Sequence, residues 1–205
     1  MRDEVLAAAR ELLALGLTAG TAGNVSGRRA DGAVVITPAA LDYRTMTAGD
    51  LVVLSPDGEV LEGDRPPSSE RALHLAAYAA FPEVRGVVHA HPVHATMFAC
   101  ARRPVPAAVD EFALYVGGDV PCAEYAPSGS AALAAEAVRH LADRGAVLLA
   151  SHGLVTVGRS PADAVHVALV VERGAHAIWG AAALGGAVAL PSEAQRSLAE
   201  HYRRD

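Results

Sequence analysis

Apolar residues recur along this chain with two different periods, one typical of helices and one typical of strands. Stretches with a helical period, bounded by start and stop signals, predict helices at 3–15, 66–81, 92–100, 130–142 and 161–184. Short apolar runs bounded by turn residues predict strands at 33–37, 51–54, 59–61, 87–91, 105–109, 146–150 and 154–158. The pattern therefore predicts a chain of mixed helices and strands.

Three segments between these elements are predicted to be loops. Residues 18–27 are small and rich in glycine, so this loop either lets backbone N–H groups approach an anion or is an ordinary turn. Residues 38–43 separate two predicted strands, and residues 110–119 follow a third.

Composition narrows the classes of function. The 205 residues carry a net charge of −6 with scattered arginines, which argues against nucleic acid or an anionic membrane as a partner. No repeat or linker divides the chain, so residues 1–205 are predicted to form one domain. Charged residues and histidines interrupt the apolar run 162–188, which is therefore predicted to be a buried helix. Cys100 and Cys122 show no CxxC spacing, and the first residues lack a signal-peptide layout, so a cytoplasmic protein is expected.

The histidine pattern predicts a metal site. His89 and His91 lie one residue apart at the end of a predicted strand, so their side chains point to the same face. His152 sits in a tight turn between two apolar strands and offers a third imidazole. Three neutral imidazoles with an open position are typical of catalytic zinc and unlike magnesium or calcium sites. Such a cation can polarise a carbonyl or activate water, and the spacing alone does not choose between carbon–carbon chemistry and hydrolysis.

A second segment offers polar groups at the start of a helix. The side chains of Ser68 and Ser69 can either cap free backbone N–H groups or hold a phosphate, and Glu70 is expected in the first helical turn. His94 is predicted to leave the strand face and to support the metal ligands or pack. The remaining histidines are interpreted as surface or core residues: His74, His140, His166, His176 and His201.

Several motifs in one order resemble the class II aldolase/adducin family: Gly23-Asn24-Val25-Ser26, Thr37-Pro38, Pro67-Ser68-Ser69-Glu70, Val88-His89-Ala90-His91 and Ser151-His152-Gly153-Leu154. The resemblance covers roughly residues 3 to 190. It implies a single α/β domain with three α/β/α layers around a mostly antiparallel mixed sheet. It also implies a homotetramer with active sites at subunit interfaces.

The same resemblance implies roles for individual residues. His89, His91 and His152 would bind one Zn²⁺, with Glu70 as fourth ligand or as acid/base. A further group would hold the phosphate of the substrate: Gly23, Asn24, Ser68 and Ser69. The implied reaction is the reversible cleavage of a ketose 1-phosphate, such as L-fuculose 1-phosphate, to an aldehyde and dihydroxyacetone phosphate through an enediolate stabilised by zinc. The chain has no lysine, which excludes a Schiff-base aldolase.

The chain also departs from the family pattern. Ala39 and Ala40 replace a Thr-Gly pair that helps to bind phosphate, so a hydroxyl donor is missing. The tyrosine that acts as proton donor from a neighbouring subunit falls on Asp110. Another tyrosine could act as the proton donor in its place, or Asp110 with Glu111 could do different acid/base work. The candidate tyrosines are Tyr115, Tyr125 and Tyr202. Two other functions therefore stay open: a decarboxylase, dehydratase or epimerase of the same family, and a non-catalytic adducin-like interaction domain.

Overall fold

Eight strands form one mixed sheet at the centre of the protein, for which a computed structural model describes residues 1–200. The strands are β1 Asn24–Arg28, β2 Val34–Ile36, β3 Val52–Leu54, β4 Val60–Glu62, β5 Gly86–Ala90, β6 Cys122–Ala123, β7 Ala146–Leu149 and β8 Gly153–Gly158. Their order across the sheet is β4-β3-β2-β1-β5-β8-β7-β6. Only the β6–β7 pair is parallel among these neighbours, so the sheet is mostly antiparallel, as predicted.

Helices cover both faces of the sheet. They are α1 Arg2–Ala14, α2 Arg71–Ala80, α3 Val93–Ala101, α4 Asp110–Tyr115, α5 Ala131–Leu141, α6 Pro161–Ala181 and α7 Ser192–Ala199, with short 3₁₀ segments at Ala48–Asp50 and Ala182–Leu184. Helices α2 and α5 pack together on one face, and α1, α3 and α6 pack on the other. The predicted three-layer α/β/α arrangement is confirmed.

The alternation of side chains along β5 divides the core between the two layers. Val87 packs with the residues of α2 and α5, whereas Val88 packs with those of α1, α3 and α6. His89 therefore shares the face of Val87 and points toward the layer that contains α2. This register brings the histidine strand and the start of α2 together.

Helix α6 is long and apolar enough to meet the length and composition criteria for a membrane span. In this fold it lies against the sheet, where residues such as Val165, Ala168 and Val171 are buried in the larger core cluster. Its start is fixed by Ser160, whose hydroxyl accepts a hydrogen bond from the N–H of Asp163. The prediction of a core helix agrees with this packing.

Several predicted boundaries are wrong. The segment 18–27 is not all loop, because residues 24–28 form β1 in the middle of the sheet. The polar Asn24 and Ser26 are buried there, which hides the apolar alternation expected of a strand. The predicted strand 105–109 is reduced to a single bridge between Val105 and Val120, since Pro106 cannot donate a backbone hydrogen bond.

Two helices lie where the pattern predicts none. Part of the predicted loop 110–119 is helix α4, which packs its Phe112 into the core. Helix α7 follows the predicted end of regular structure and has no buried residue. The candidate residues His201 and Tyr202 lie outside the described residues.

Candidate metal centre and active site

Three imidazoles converge where two central strands of the sheet meet, at the end of β5 and the start of β8. The ligand atoms of His89, His91 and His152, which we call the imidazole triad, all lie within 4.8 Å of one another. The Nε2 atoms of His89 and His91 are 2.9 Å apart. The predicted convergence of the three histidines is therefore present in the structure.

His89 is held with one particular nitrogen facing the triad. Its ring is fully buried, and its Nδ1–H donates to the carbonyl oxygen of Leu154 at 3.0 Å. This hydrogen bond assigns the proton of the neutral ring to Nδ1 and leaves a lone pair on Nε2. The backbone of the neighbouring strand thus orients the ring as a ligand.

His91 and His152 are brought together by a close approach of backbones. A Cβ added to Gly153 would lie 2.5 Å from the carbonyl oxygen of Ala90 and 2.6 Å from Cδ2 of His91, so only glycine fits there. The preceding Ser151 has φ of +56°, a left-handed conformation that is uncommon for a serine. The tight turn that carries His152 is thus stabilised by its surroundings in a strained geometry.

The carboxylate of Glu70 completes the group from a different element. Its Oε2 lies 3.2 Å from Nε2 of His89, and its Oε1 lies 3.5 Å from Nε2 of His152. The side chains of Asn24 and Ser128 each donate to one of these oxygens, at 3.0 and 2.9 Å. Glu70 is the N-cap residue of α2 and does not lie in its first turn, which corrects the sequence prediction.

The arrangement fits a divalent transition-metal ion. Because Nδ1 of His89 is used by Leu154, its Nε2 lone pair would face the negatively charged Glu70 oxygen unless a proton or a cation lies between them. Three imidazole nitrogens and one carboxylate oxygen form a ligand set that suits such an ion. We therefore interpret the triad and Glu70 as a candidate metal centre.

The electrostatic environment favours the metal-binding forms of these residues. Burial, and then the charges of His89 and His152, lowers the pKa of His91 to about 4. Burial and the charge of His89 also lower the pKa of His152. Burial raises the pKa of Glu70, but the positive charge that His89 carries when it is protonated, together with hydrogen bonds from Asn24 and Ser128, outweighs burial and brings the net pKa well below its usual range. At neutral pH the site thus offers neutral imidazoles at these two positions and an ionised carboxylate.

The four predicted phosphate-binding residues come from two segments that meet beside Glu70. Gly23 has φ of +79°, and a Cβ there would lie 2.8 Å from the carbonyl oxygen of His89. Asn24 pairs with His89 in the sheet. The hydroxyl of Ser68 accepts a hydrogen bond from the N–H of Glu70, while Ser69 is exposed. Their role toward a phosphate stays a prediction.

The loop that carries Ala39 and Ala40 has a left-handed backbone at its second position. Ala40 has φ of +54°, in the left-handed region that favours glycine. The N–H of Ala39 donates to the carbonyl oxygen of Pro66 at 3.0 Å. The missing glycine has therefore been replaced at a cost in backbone strain of about 1 kcal/mol.

Three further candidates are not among the side chains that converge at the triad. Asp110 is exposed at the first position of α4. Tyr115 is half-exposed, and its ring packs against His166 of α6. His94 is not one of the converging ligands, because its Nδ1 is bonded instead to a carboxylate oxygen of Glu172 at 2.8 Å. A role for Asp110 or Tyr115 in the site of a neighbouring subunit stays a prediction.

Two residues that contact the site network were missed from the sequence. His74 is not an isolated core residue: it is fully buried, and its ring bonds to Asn24 and Ser26. Its spacing of four residues from Glu70, along one face of α2, is a signal that could have revealed it. Ser128 lies in a loop distant in sequence, and no local pattern indicates its contact with Glu70.

Comparisons with known proteins agree with the fold and identify the family. The model of the family described as "Class II Aldolase and Adducin N-terminal domain" matches residues 3–179. The structure superposes on a solved L-fuculose 1-phosphate aldolase with a TM-score of 0.94 and 35% identity, covering 98% of this chain and 95% of that one.

Two curated relatives carry different activities in their names. The 5-deoxy-D-ribulose 1-phosphate aldolase of Bacillus thuringiensis serovar kurstaki is 36% identical over 202 residues, covering 98% of this chain and 94% of the relative. The L-ribulose-5-phosphate 4-epimerase of Salmonella paratyphi B is also 36% identical, covering 87% of this chain and 84% of the relative. Similarity at this level therefore does not select one substrate.

Fold and site together define a metal-dependent enzyme of the lyase class. The chain belongs to the class II aldolase and adducin N-terminal domain family, whose model it matches over most of its length.

Proposed function

We propose that this protein is a zinc-dependent aldolase that reversibly cleaves a ketose 1-phosphate to an aldehyde and dihydroxyacetone phosphate. The observation that carries the proposal is the convergence of Glu70 with the imidazole triad, within 3.5 Å of His89 and His152. An adducin-like interaction domain has no need for this ligand set, so a non-catalytic role is disfavoured.

The triad and Glu70 would hold the zinc ion, which would polarise the substrate carbonyl and stabilise negative charge beside it. Glu70 is proposed to move the proton at the carbon next to that carbonyl. When the carbon–carbon bond breaks, its electron pair stays on this carbon. Glu70, which is ionised in the free protein, would take up a proton from water and pass it to this carbon to give dihydroxyacetone phosphate. The proton of the substrate hydroxyl that becomes the aldehyde passes to a second group, for which Asp110 or Tyr115 of a neighbouring subunit is proposed.

Substrate binding is proposed to centre on the phosphate. Gly23, Asn24, Ser68 and Ser69 border Glu70 on one side, where backbone N–H groups and hydroxyls can donate to an anion. One amide hydrogen of Asn24 is directed to Glu70, and the second is left for a ligand. L-fuculose 1-phosphate and 5-deoxyribulose 1-phosphate share a ketone, a phosphate on the first carbon and a terminal methyl group, so both are proposed as first substrates.

A second candidate function is epimerisation of a pentulose phosphate. It is favoured by the similarity to the L-ribulose-5-phosphate 4-epimerase over 87% of this chain. The same carbon–carbon bond would break and form again with the opposite configuration, so the same metal site could serve both reactions. The position of the phosphate in the substrate distinguishes the two.

The test is a substrate panel with two detectors. Purified protein loaded with zinc is incubated with L-fuculose 1-phosphate, 5-deoxyribulose 1-phosphate and L-ribulose 5-phosphate, and dihydroxyacetone phosphate is measured by a coupled NADH assay. Its release from either ketose 1-phosphate supports the aldolase. Epimer formation without dihydroxyacetone phosphate, or release of carbon dioxide, would overturn the aldolase and favour another activity.

Three remaining features are proposed from the family resemblance. We propose that zinc is the native metal, that the protein is cytoplasmic, and that it is a homotetramer with active sites at the interfaces. Exposed Val93, Met97 and Trp179 supply apolar surface that a neighbouring subunit would cover. Metal analysis of purified protein tests the zinc, and light scattering tests the oligomeric state; a magnesium-only enzyme or a monomer would contradict them.

A further inference from the structure

A continuous chain of hydrogen bonds runs from the Glu70 carboxylate into the interior between β1 and α2. Oε2 of Glu70 is 3.0 Å from Nδ2 of Asn24, and Oδ1 of Asn24 is 2.5 Å from Nε2 of His74. Nδ1 of His74 is 2.6 Å from the hydroxyl of Ser26, which is 2.8 Å from the hydroxyl of Tyr78. All five side chains are buried.

Helix α2 and strand β1 supply the residues of this hydrogen-bond chain at the spacings typical of a helix and of a strand. Glu70, His74 and Tyr78 are spaced four residues apart and follow one face of α2. Asn24 and Ser26 are spaced two residues apart and follow one face of β1. A helix and a strand with these spacings present their polar atoms to each other in one line.

The chemistry of the groups fixes the direction of every bond. The ionised Glu70 only accepts, so Asn24 donates its amide N–H and its carbonyl oxygen must accept from the Nε2–H of His74. A neutral His74 then has a lone pair on Nδ1, which accepts from the Ser26 hydroxyl. The oxygen of Ser26 accepts in turn from the hydroxyl of Tyr78. Burial, and then the charge of His89, lowers the pKa of His74 to about 3, which keeps its ring neutral.

We propose that His74 is a positioning residue, which acts through Asn24 to hold the Glu70 carboxylate for proton transfer. Ser26, which is bonded to Tyr78, stabilises the His74 tautomer with the proton on Nε2 by donating to Nδ1. If the proton of His74 moved to Nδ1, the lone pair on Nε2 would face the carbonyl oxygen of Asn24. The amide would then turn and direct that oxygen at the carboxylate, which would repel it. This inference rests on the proposed role of Glu70 in proton transfer.

The first measurement does not depend on activity. The imidazole nitrogens of ¹⁵N-labelled protein are recorded by NMR at pH 7.5, and the His74 signals are assigned with His74→Gln. A neutral ring with the proton on Nε2 is expected. A proton on Nδ1, or a protonated ring, would overturn the inference. In Ser26→Ala, we expect a mixture of tautomers; an unchanged single tautomer would overturn the role of Ser26.

The second measurement is steady-state kinetics with the best substrate of the panel. Loss of the support of an active-site group lowers rates by about 10- to 100-fold, so His74→Leu should lower kcat by about 100-fold with KM little changed. His74→Gln keeps a donor near the position of Nε2, so its kcat should be at least about tenfold higher than that of His74→Leu. Ser26→Ala should lower kcat by about tenfold. Metal content should stay that of the wild type in all three variants.

A matched control separates positioning from stability. Thr156→Val removes another buried hydroxyl, which donates to the carbonyl oxygen of Ala164 at 2.7 Å on the opposite face of the sheet. It should destabilise the protein while kcat stays within about twofold of wild type. If Thr156→Val lowers kcat as much as Ser26→Ala does, or if kcat of His74→Gln is no higher than that of His74→Leu, the hydrogen-bond chain has only a structural role. If the wild type cleaves no member of the panel, the aldolase proposal is overturned. The NMR result then decides by itself whether the hydrogen bonds from Tyr78 to Glu70 run in the inferred direction.

Discussion

Two groups of imidazoles on this fold, each beside a glutamate, have opposite geometries. In the imidazole triad the nitrogen atoms converge, and Glu70 directs both of its oxygens toward two of the rings. In the group that we call the surface stack (His94, His176 and Trp179), the rings of His94 and His176 lie face to face, 3.9 Å apart at 12°. The same residue types therefore form a ligand set in one place and a packed stack in the other.

The difference between the two groups lies in what the glutamate does. Glu172 accepts from Nδ1 of His94 and from the backbone N–H groups of His94 and Ala95, so it caps the start of α3. Its lone pairs are used for structure. Glu70 is bonded by the side chains of Asn24 and Ser128 and still faces the triad. The Glu70 carboxylate is positioned by two side-chain donors while both of its oxygens still face imidazoles of the triad. This arrangement distinguishes the candidate active site from the stabilising contact of Glu172 with His94.

The largest expected difference is in metal binding. His91→Ala should lose the bound metal and lower kcat by about a thousandfold or more, because an ion that stabilises charge by several kcal/mol is no longer held. His94→Ala should keep the wild-type metal content, since its ring is not part of the triad. Inductively coupled plasma mass spectrometry of both variants checks this. Metal loss in His94→Ala, or full metal retention in His91→Ala, would contradict the assignment of the ligands to the triad alone.

The two carboxylates should differ in the property that they control. Glu70→Gln removes the proposed proton carrier and should lower kcat by about 10²- to 10⁴-fold. Glu172→Gln should instead lower the free energy of unfolding by about 1–2 kcal/mol, because it weakens the cap of α3 and the bond to His94. Kinetics and urea unfolding of both variants give the two values. A Glu172→Gln enzyme that is as stable as wild type but inactive would reverse the assignment.

Acid should destabilise the metal-free protein through the triad. The pKa of His91 is lowered to about 4 in the folded state, so below pH 6.5 the unfolded chain binds a proton that the folded chain does not. The free energy of unfolding should therefore fall from pH 6.5 toward pH 4, by on the order of 1 kcal/mol after allowance for partial exposure. Urea unfolding in EDTA at pH 7.5, 6.0 and 5.0 measures this fall. His91→Phe should show a shallower fall, and an equal one would contradict the prediction.

The smallest effect is expected in the surface stack. His176→Ala removes a stacked ring from an exposed site and should lower the free energy of unfolding by about 0.5 kcal/mol. Metal content should not change. Thermal unfolding with and without zinc measures both, and a loss of zinc-dependent stabilisation would show that the two groups are coupled.

Part of the site follows from local sequence. The His-x-His spacing places His89 and His91 on one face of any strand, and the apolar strands around His152 predict its turn. Family resemblance then links these residues with Glu70. His74 is harder to recognise, because one histidine among the apolar residues of a helix looks the same whether it packs or forms hydrogen bonds, and its only sequence signal is the spacing of four residues from Glu70. Its partners Asn24 and Ser26 lie on strand β1. Because these two residues are polar, the sequence pattern predicts a loop there.

Local sequence patterns and the family motifs predict the types of ligand, most of the helices and strands, and the family, but not elements such as β1, α4 or α7. The predicted features depend on side-chain chemistry and on short-range periods, which do not need the rest of the chain. Only the tertiary structure shows at what distances the three histidines converge and how Glu70 is held through Asn24, His74 and Ser128. Those features depend on the pairing of β1 with β5 and β5 with β8 and on the packing of α2 against the sheet. Such contacts join residues far apart in sequence, so no local pattern encodes them.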